Sequence, residues 1–331
     1  MPATNPIPLP APNPVIPPLP PPPTNPPAQP VVSVPAPGNP ASAGFPRPVT
    51  DGLETQIALA RRVISPGPVD GAVGGQTRSA ITAFQQAQGL PETGRLDTAT
   101  RQALTLDAPA FTEYTVTADD LAHLQPLGRT WVEKSQQTAL DYETVLELVS
   151  ARFHAHPALL RVLNPGVDWN GAAAGTVIRV PDIRYPAPAT KATRVVIHLG
   201  RKCLEAFGAE SNLLAHFPCS IAAKVEKRPV GELHVTVVVA HPNYTFDPAV
   251  FVESPEAQAI GRKLIIPAGP KNPVGVAWIG LDRPGYGMHG TPNPEQVGRT
   301  ESHGCFRLAN WDAEQLLKLA WVGLPVEVEP E

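Results

Sequence analysis

Nowhere does the chain hold about 18 consecutive apolar residues, the length a membrane-spanning helix needs, so no transmembrane segment is expected. Its first residues offer neither a basic n-region nor an unbroken apolar core, because prolines interrupt every apolar run, and no secretory signal is visible. No lysine and no acidic residue precedes Asp51, and Phe45 is the only aromatic residue in that stretch. Without apolar periodicity such a segment cannot repay its ordering entropy. Residues 1–48 are therefore expected to be a disordered, proline-rich spacer of polyproline-II character, either a stand-off for the folded domains or a tail with no mechanical role. The net charge is only -4 and basic runs are absent, which argues against nucleic acid and anionic lipid as partners.

What is abundant is proline, 43 of 331 residues against an average near 5%, crowded into the first fifty positions. The remaining length accommodates two or three domains. Residues 49–108 read as a small helical domain. Ala80, Ile81, Phe84 and Ala87 share one stripe of a helix with Thr77 as expected N-cap and Gly89 as stop. A second helix starts after Asp97, and Ile57 to Ile64 suggests a third, ending before Pro66. Residues 113–186 are less regular, with a strand at Tyr114-Thr115-Val116 and an amphipathic run over 142–149. His154 and His156, two apart, point to different faces of a helix with no further Cys or His near in sequence, and are expected to be packed or solvated rather than metal ligands. No metal and no cofactor is expected.

Residues 190–331 are rich in β-branched runs, at 195–199, 235–240 and 274–280, with one helix from Ala313 to about Ala320 for which Asp312 and Gln315 form the expected capping box. Only three cysteines occur. Cys203 and Cys219 sit on the two arms of an expected hairpin near Glu210, either paired or simply buried. The third, Cys305, lies in Thr300-Glu301-Ser302-His303-Gly304-Cys305-Phe306-Arg307-Leu308-Ala309-Asn310, downstream of Met288-His289-Gly290-Thr291. A thiol nucleophile needs an imidazole to take its proton and a permissive backbone to expose the sulfur and offer N–H groups to an oxyanion. Histidines and glycines beside Cys305 supply both.

These blocks resemble the signature of the L,D-transpeptidases with a YkuD-like catalytic domain, the enzymes that cross-link bacterial peptidoglycan through a cysteine. The resemblance covers about residues 191–329. It includes Arg228-Pro229-Val230-Gly231, with Arg228 a departure before the proline, and Pro267-Ala268-Gly269-Pro270-Lys271-Asn272-Pro273-Val274-Gly275, with Ala268 an extra spacer. Upstream, Asp70-Gly71 through Gly74-Gly75-Gln76-Thr77, Phe84-Gln85, Gly89-Leu90 and Leu96-Asp97 resemble the peptidoglycan-binding three-helix module, while Leu160-Arg161-Val162-Leu163-Asn164-Pro165-Gly166 and Gly175-Thr176-Val177-Ile178 resemble the closing half of a LysM fold.

The resemblance implies a multidomain α+β chain: the helical module at 49–108, a LysM-like module at 113–186, and a mostly-β, YkuD-like sandwich with a C-terminal helix at 190–331. It implies peptidoglycan as partner and a place in the cell envelope, periplasmic or wall-associated, with Met1 read as an added start on a mature form. Cys305 would attack the bond between a third-residue diamino acid and D-Ala of a tetrapeptide stem, and an amine would accept the acyl group. Water as acceptor gives an L,D-carboxypeptidase, and a wall-binding scaffold without catalysis is the alternative of another class. The resemblance makes His289 the base, with the Gly290 carbonyl holding its tautomer, His303 the supporting imidazole, and Ser302, Gly304 and Cys305 the turn and oxyanion site. Arg307 suits a substrate carboxylate or, equally, a salt bridge to Asp312. Tyr286, Trp278 and Asn310 are candidate cleft residues, and carbapenems are implied as covalent inhibitors. The two wall-binding modules are expected to act as tethers, removable up to residue 186 without harm to the chemistry.

Overall fold

The computed structural model describes residues 44–251, 254–299 and 304–330; the expected spacer before residue 44, and Ser302 and His303, lie outside them. The helical segment contains β1 (Arg47–Pro48), α1 (Gly52–Ala60), α2 (Gly75–Ala87), α3 (Thr98–Ala103) and β2 (Thr105–Leu106). β1 pairs antiparallel with β2, so the last residues assigned to the spacer are structured. Asp51 and Asp97 cap α1 and α3 by accepting the N–H groups of Glu54 and Thr100. α2 starts earlier than expected. Its N-cap is Gly74, and Thr77 is buried inside the first turn, where its hydroxyl accepts from Gln56 Nε2 at 3.1 Å and donates to the Ala72 carbonyl at 3.2 Å. Ala80, Ile81 and Phe84 are buried as expected, but Ala83 rather than Ala87 completes the stripe.

The second segment contains β3 (Phe111–Thr115), α4 (Ala118–Ala122), α5 (Trp131–Gln136), α6 (Val145–Arg152), α7 (Pro157–Leu163) and β4 (Val177–Pro181), with β3 and β4 antiparallel. Asn164 clamps the end of α7 to β4: its amide donates to the Leu160 and Arg179 carbonyls and its oxygen accepts from the Arg179 N–H. His154 and His156 are not on one helix. α6 ends at Arg152, His154 takes φ +52°, and His156 caps α7 by accepting from the Ala158 N–H.

The third segment contains β5 (Arg194–His198), β6 (Cys203–Phe207), β7 (Leu213–Pro218), β8 (Gly231–Ala240), β9 (Tyr244–Phe246), α8 (Pro255–Ile260), β10 (Leu264–Ile266), β11 (Ala277–Leu281), β12 (Gly287–His289), β13 (Phe306–Arg307), α9 (Asn310–Leu319) and β14 (Pro325–Glu329). Eight strands form one sheet in the order β13-β12-β11-β8-β14-β5-β6-β7. β8 is the pivot, pairing with β14 through its first residues and with β11 through its last. The sheet curls until its two ends meet: just past β7, Ser220 exchanges both backbone hydrogen bonds with Arg307 of β13, at 2.9 and 3.1 Å. Residues of both halves, among them Val195, Ile197, Phe217, Ile279, Met288, Phe306 and Val326, then face one core with Leu316 and Leu319 of α9. The expected sandwich is thus a single curled sheet. The hairpin of β6 and β7 forms as expected, and its cysteines are free; Cys219 joins the core, whereas Cys203 faces α2 through Ser79.

α9 begins at Asn310, with Ala309 as N-cap and no side-chain cap. Asp312 and Gln315 therefore form no capping box. Both are buried and turned to other segments: Asp312 accepts from Ser65 Oγ at 3.0 Å and Tyr185 Oη at 2.7 Å, and Gln315 donates to the Pro186 carbonyl.

The helical segment also packs on the sheet, which bears on the expected removability of residues up to 186. α1 ends at Ala60, short of Ile64; Val63 takes φ +60° and Ile64 forms a single parallel bridge with His216 of β7. There the His216 N–H donates to the Val63 carbonyl at 3.0 Å and the Ser65 N–H to the His216 carbonyl at 2.8 Å. An exposed sheet edge is a liability, and the helical segment covers this one. His154 lies between Tyr185 and Trp311, stacked 5.0 Å from the Trp311 ring, which locks the second segment to α9. Removing residues up to 186 would strip this bridge from the edge of β7 and remove both hydroxyl partners of Asp312.

Candidate active site

β12 and β13 run parallel, with His289 opposite Arg307 and Met288 opposite Phe306, so Cys305 enters the site at the mouth of β13. This puts the cysteine and the histidine of two distant motifs on adjacent strands. Cys305 is partly exposed, and its thiol donates to the Gly285 carbonyl at 3.3 Å. Burial raises its pKa, opposed by the Gly287 N–H and the Arg307 charge, both of which favour the thiolate.

His289 is 5% exposed. Its Nδ1 lies 2.7 Å from the Gly290 carbonyl, an oxygen that can only accept, so Nδ1 carries the proton and Nε2 keeps a lone pair. Burial, with a smaller push from Arg307, lowers its pKa to about 4 despite that hydrogen bond, so the imidazole is neutral at pH 7. Trp278, opposite His289 in the β11 to β12 register, stacks on the ring at 5.6 Å.

Gly290 is needed for close approach. A Cβ there would strike Asn310 Oδ1, and one at Gly275, where φ is +62°, would strike both that oxygen and the Gly290 backbone. Asn310, half-buried, has both ends of its amide engaged by backbone. Its Nδ2 donates to the Pro270 carbonyl at 2.9 Å and its Oδ1 accepts from the Val276 N–H at 3.3 Å, so it pins the 270–276 loop under the His289 turn.

Tyr286 and Trp278 both border the site. Tyr286 donates to the Lys227 carbonyl at 3.0 Å and packs beside Gly304. Arg307 is half-buried, and the salt bridge to Asp312 does not form; among the described residues its guanidinium has no acidic partner. Burial lowers its pKa while the Cys305 charge works the other way.

Two features escaped sequence reasoning. Tyr244, on β9, has its hydroxyl pKa raised first by burial and then by the charges of Cys305 and Asp247, so it shares the electrostatic surroundings of the nucleophile. The hairpin of β9 and β10 with α8 is braced from the second segment: the Trp131 ring of α5 stacks on Phe246 at 4.5 Å, the Trp131 backbone N–H donates to Glu256 at 2.7 Å, and the Leu140 N–H donates to the Ala268 carbonyl at 2.9 Å.

Residues 192–328 match the family model for the L,D-transpeptidase catalytic domain, and residues 53–104 match that for the peptidoglycan binding domain. Residues 192–328 form an L,D-transpeptidase catalytic domain. A protein of Bacillus licheniformis named for the L,D-transpeptidases, YkuD, is 27% identical over 185 residues, covering 56% of this chain and 93% of its own. YbiS of Escherichia coli strain K12, named likewise, is 30% identical over 195 residues, 55% of this chain and 59% of its own. Among solved structures, an L,D-transpeptidase of Xylanimonas cellulosilytica aligns over 86% of this chain and 98% of its own at 15% identity and TM-score 0.34. The transpeptidase domain thus brings together His289, Gly290, Gly304, Cys305, Arg307, Tyr286 and Trp278, with Asn310 bonded to the 270–276 loop beside them.

Proposed function

We propose that the protein is a cysteine-dependent peptidoglycan L,D-transpeptidase of the bacterial cell envelope. The hydrogen bond from His289 Nδ1 to the Gly290 carbonyl carries this reading, because it leaves Nε2 as the ring's acceptor, on the strand paired with the one that Cys305 leads into. A raised thiol pKa and a lowered imidazole pKa favour a neutral pair at rest. The proton therefore moves as the sulfur attacks, and His289 is a general base rather than half of a standing ion pair.

The Cys305 thiol passes its proton to His289 Nε2 while the sulfur adds to the carbonyl of the third stem residue. The tetrahedral oxyanion is held by backbone N–H groups of the Gly304 to Cys305 turn, with Ser302 and His303 shaping and supporting it. The C–N bond breaks, D-Ala leaves with the proton from His289, and a thioester remains. An amine of a second stem attacks the thioester, its proton returns through His289, and the thiol is released with a 3-3 cross-link formed. Arg307, half-buried and without an acidic partner among the described residues, grips a substrate carboxylate, while Trp278 and Tyr286 wall the cleft.

The segments at 49–108 and 113–186 are wall-binding modules, the second LysM-like by its paired terminal strands and Asn164 clamp, and 190–331 is the catalytic domain. The thiolate is also the nucleophile for carbapenems. Intact-mass spectrometry after incubation with a carbapenem tests this: one adduct on Cys305, absent from Cys305→Ala, is expected, and an adduct on Cys203 or Cys219 contradicts it.

A further inference from the structure

The mechanism leaves unused a cluster of metal-ligating side chains on the sheet face beneath the helical segment. Directly paired residues of neighbouring strands share a face, and the register pairs His198 with Cys203 and Glu205 with His216. Glu205 is 2% exposed, with carboxylate oxygens 2.9 Å from His198 Nε2 and 3.1 Å from His216 Nδ1. One nitrogen of His198, one oxygen of Glu205 and the Cys203 sulfur all lie within 4.8 Å of one another. A tetrahedral zinc site with bonds of about 2.0–2.3 Å has ligand-to-ligand edges of about 3.3–3.8 Å, so a contraction of about 1 Å closes the set.

We propose that His198, Cys203 and Glu205 bind a divalent transition metal, zinc by the chemistry of the donors, with His216 or a water as fourth ligand. Nitrogen, thiolate and carboxylate together match the borderline softness of zinc and suit neither magnesium nor calcium. Two further observations support the site. His198 Nδ1 lies 2.5 Å from Glu329 Oε2, the outer carboxylate that fixes ring orientation and tautomer in metal-bound histidines. An entry path exists: a cleft of about 370 Å³ between the two segments is lined by Gly200, Arg201, Lys202, Cys203, Ser79 and Pro218, among others. On binding, the Cys203 thiol gives its proton to solvent, and the thiolate and Glu205 balance the two positive charges. Arg201, 3.6 Å from Glu205 and partly exposed, is free to swing into the cleft. The bound ion would staple the arms of β5, β6 and β7 where the helical segment docks.

The test uses the full chain carrying Cys305→Ala, so that this thiol contributes nothing. Metal-free protein is titrated with Zn²⁺ against a chromophoric chelator, and with Co²⁺ for the thiolate-to-cobalt charge-transfer band. Expected are one equivalent of tight zinc, a raised melting temperature, and loss of the band and at least tenfold in affinity in Cys203→Ser. Glu329→Gln, a half-exposed change that spares the core, should cost about 10–100-fold. Substoichiometric or absent zinc, or affinity unchanged in Glu329→Gln, overturns the proposal even if Cys203→Ser fails to fold.

Discussion

Asp312→Asn should abolish one large component of the pH dependence of stability. Asp312 is 1% exposed, and its two partners are hydroxyl groups without charge, so burial lifts its pKa from 3.8 to about 7. The folded state then holds a proton that the unfolded chain has released. Between about pH 4 and pH 7 the native form binds more protons, so stability falls as pH rises through that window. A shift of about three units corresponds to ~4 kcal/mol, present below pH 4 and lost above pH 7. Asparagine keeps the size and polarity of the neutral acid but does not titrate. Urea unfolding of both proteins from pH 4 to pH 9, followed by tryptophan fluorescence, should give curves that nearly coincide at pH 4 and separate by about 4 kcal/mol at pH 8, the variant being more stable. A constant offset at every pH would refute the reasoning, since Asp312 would then be equally ionised in both states.

His289→Ala should lower the acylation rate about 10²–10⁴-fold, read by stopped-flow acylation with a carbapenem. In the unaltered enzyme the acid limb of acylation should fall near pH 4, because the lowered pKa keeps His289 neutral down to about that value; a limb near pH 6.5 would show a solvated imidazole. Trp131→Ala should leave the fold intact and raise KM for stem peptides about tenfold, since it frees the hairpin that carries Tyr244; unchanged kinetics would show that α5 does not brace the site. Deleting residues 44–186 should yield an unstable domain, lowering the melting temperature by more than about 10 °C or preventing folding, and a truncated protein as stable as the full chain would contradict the docking described.

The transpeptidase motif was legible because its chemistry is local. The glycines beside His289 and Cys305 announce close backbone approach, and the tautomer bond to Gly290 links adjacent residues, so both could be read without a fold. For Asn310 the sequence gives a position beside the motif but not its partners, the Pro270 carbonyl and the Val276 N–H. Asp312 followed the pattern of a capping box, yet the opportunity to bury it against Ser65 and Tyr185 depends on segments more than 100 residues away. Val63 to Ser65 read as the end of a helix because nothing local says that a sheet edge about 150 residues later needs covering. Long-range docking has no signature at short spacing. The core stripes at 80–84 and 195–199, by contrast, obey periods of about 3.6 and 2 residues that survive any docking.

The central claim, that Cys305 transfers an acyl group from a tetrapeptide stem to an amine, is tested most directly by incubating the full chain with disaccharide-tetrapeptides and analysing the products by liquid chromatography and mass spectrometry. The account predicts free D-Ala together with 3-3 cross-linked dimers, neither of which appears with Cys305→Ala. Tripeptides without dimers would make water the acceptor and the protein an L,D-carboxypeptidase, and unconsumed tetrapeptide, or products that persist in Cys305→Ala, would contradict the account.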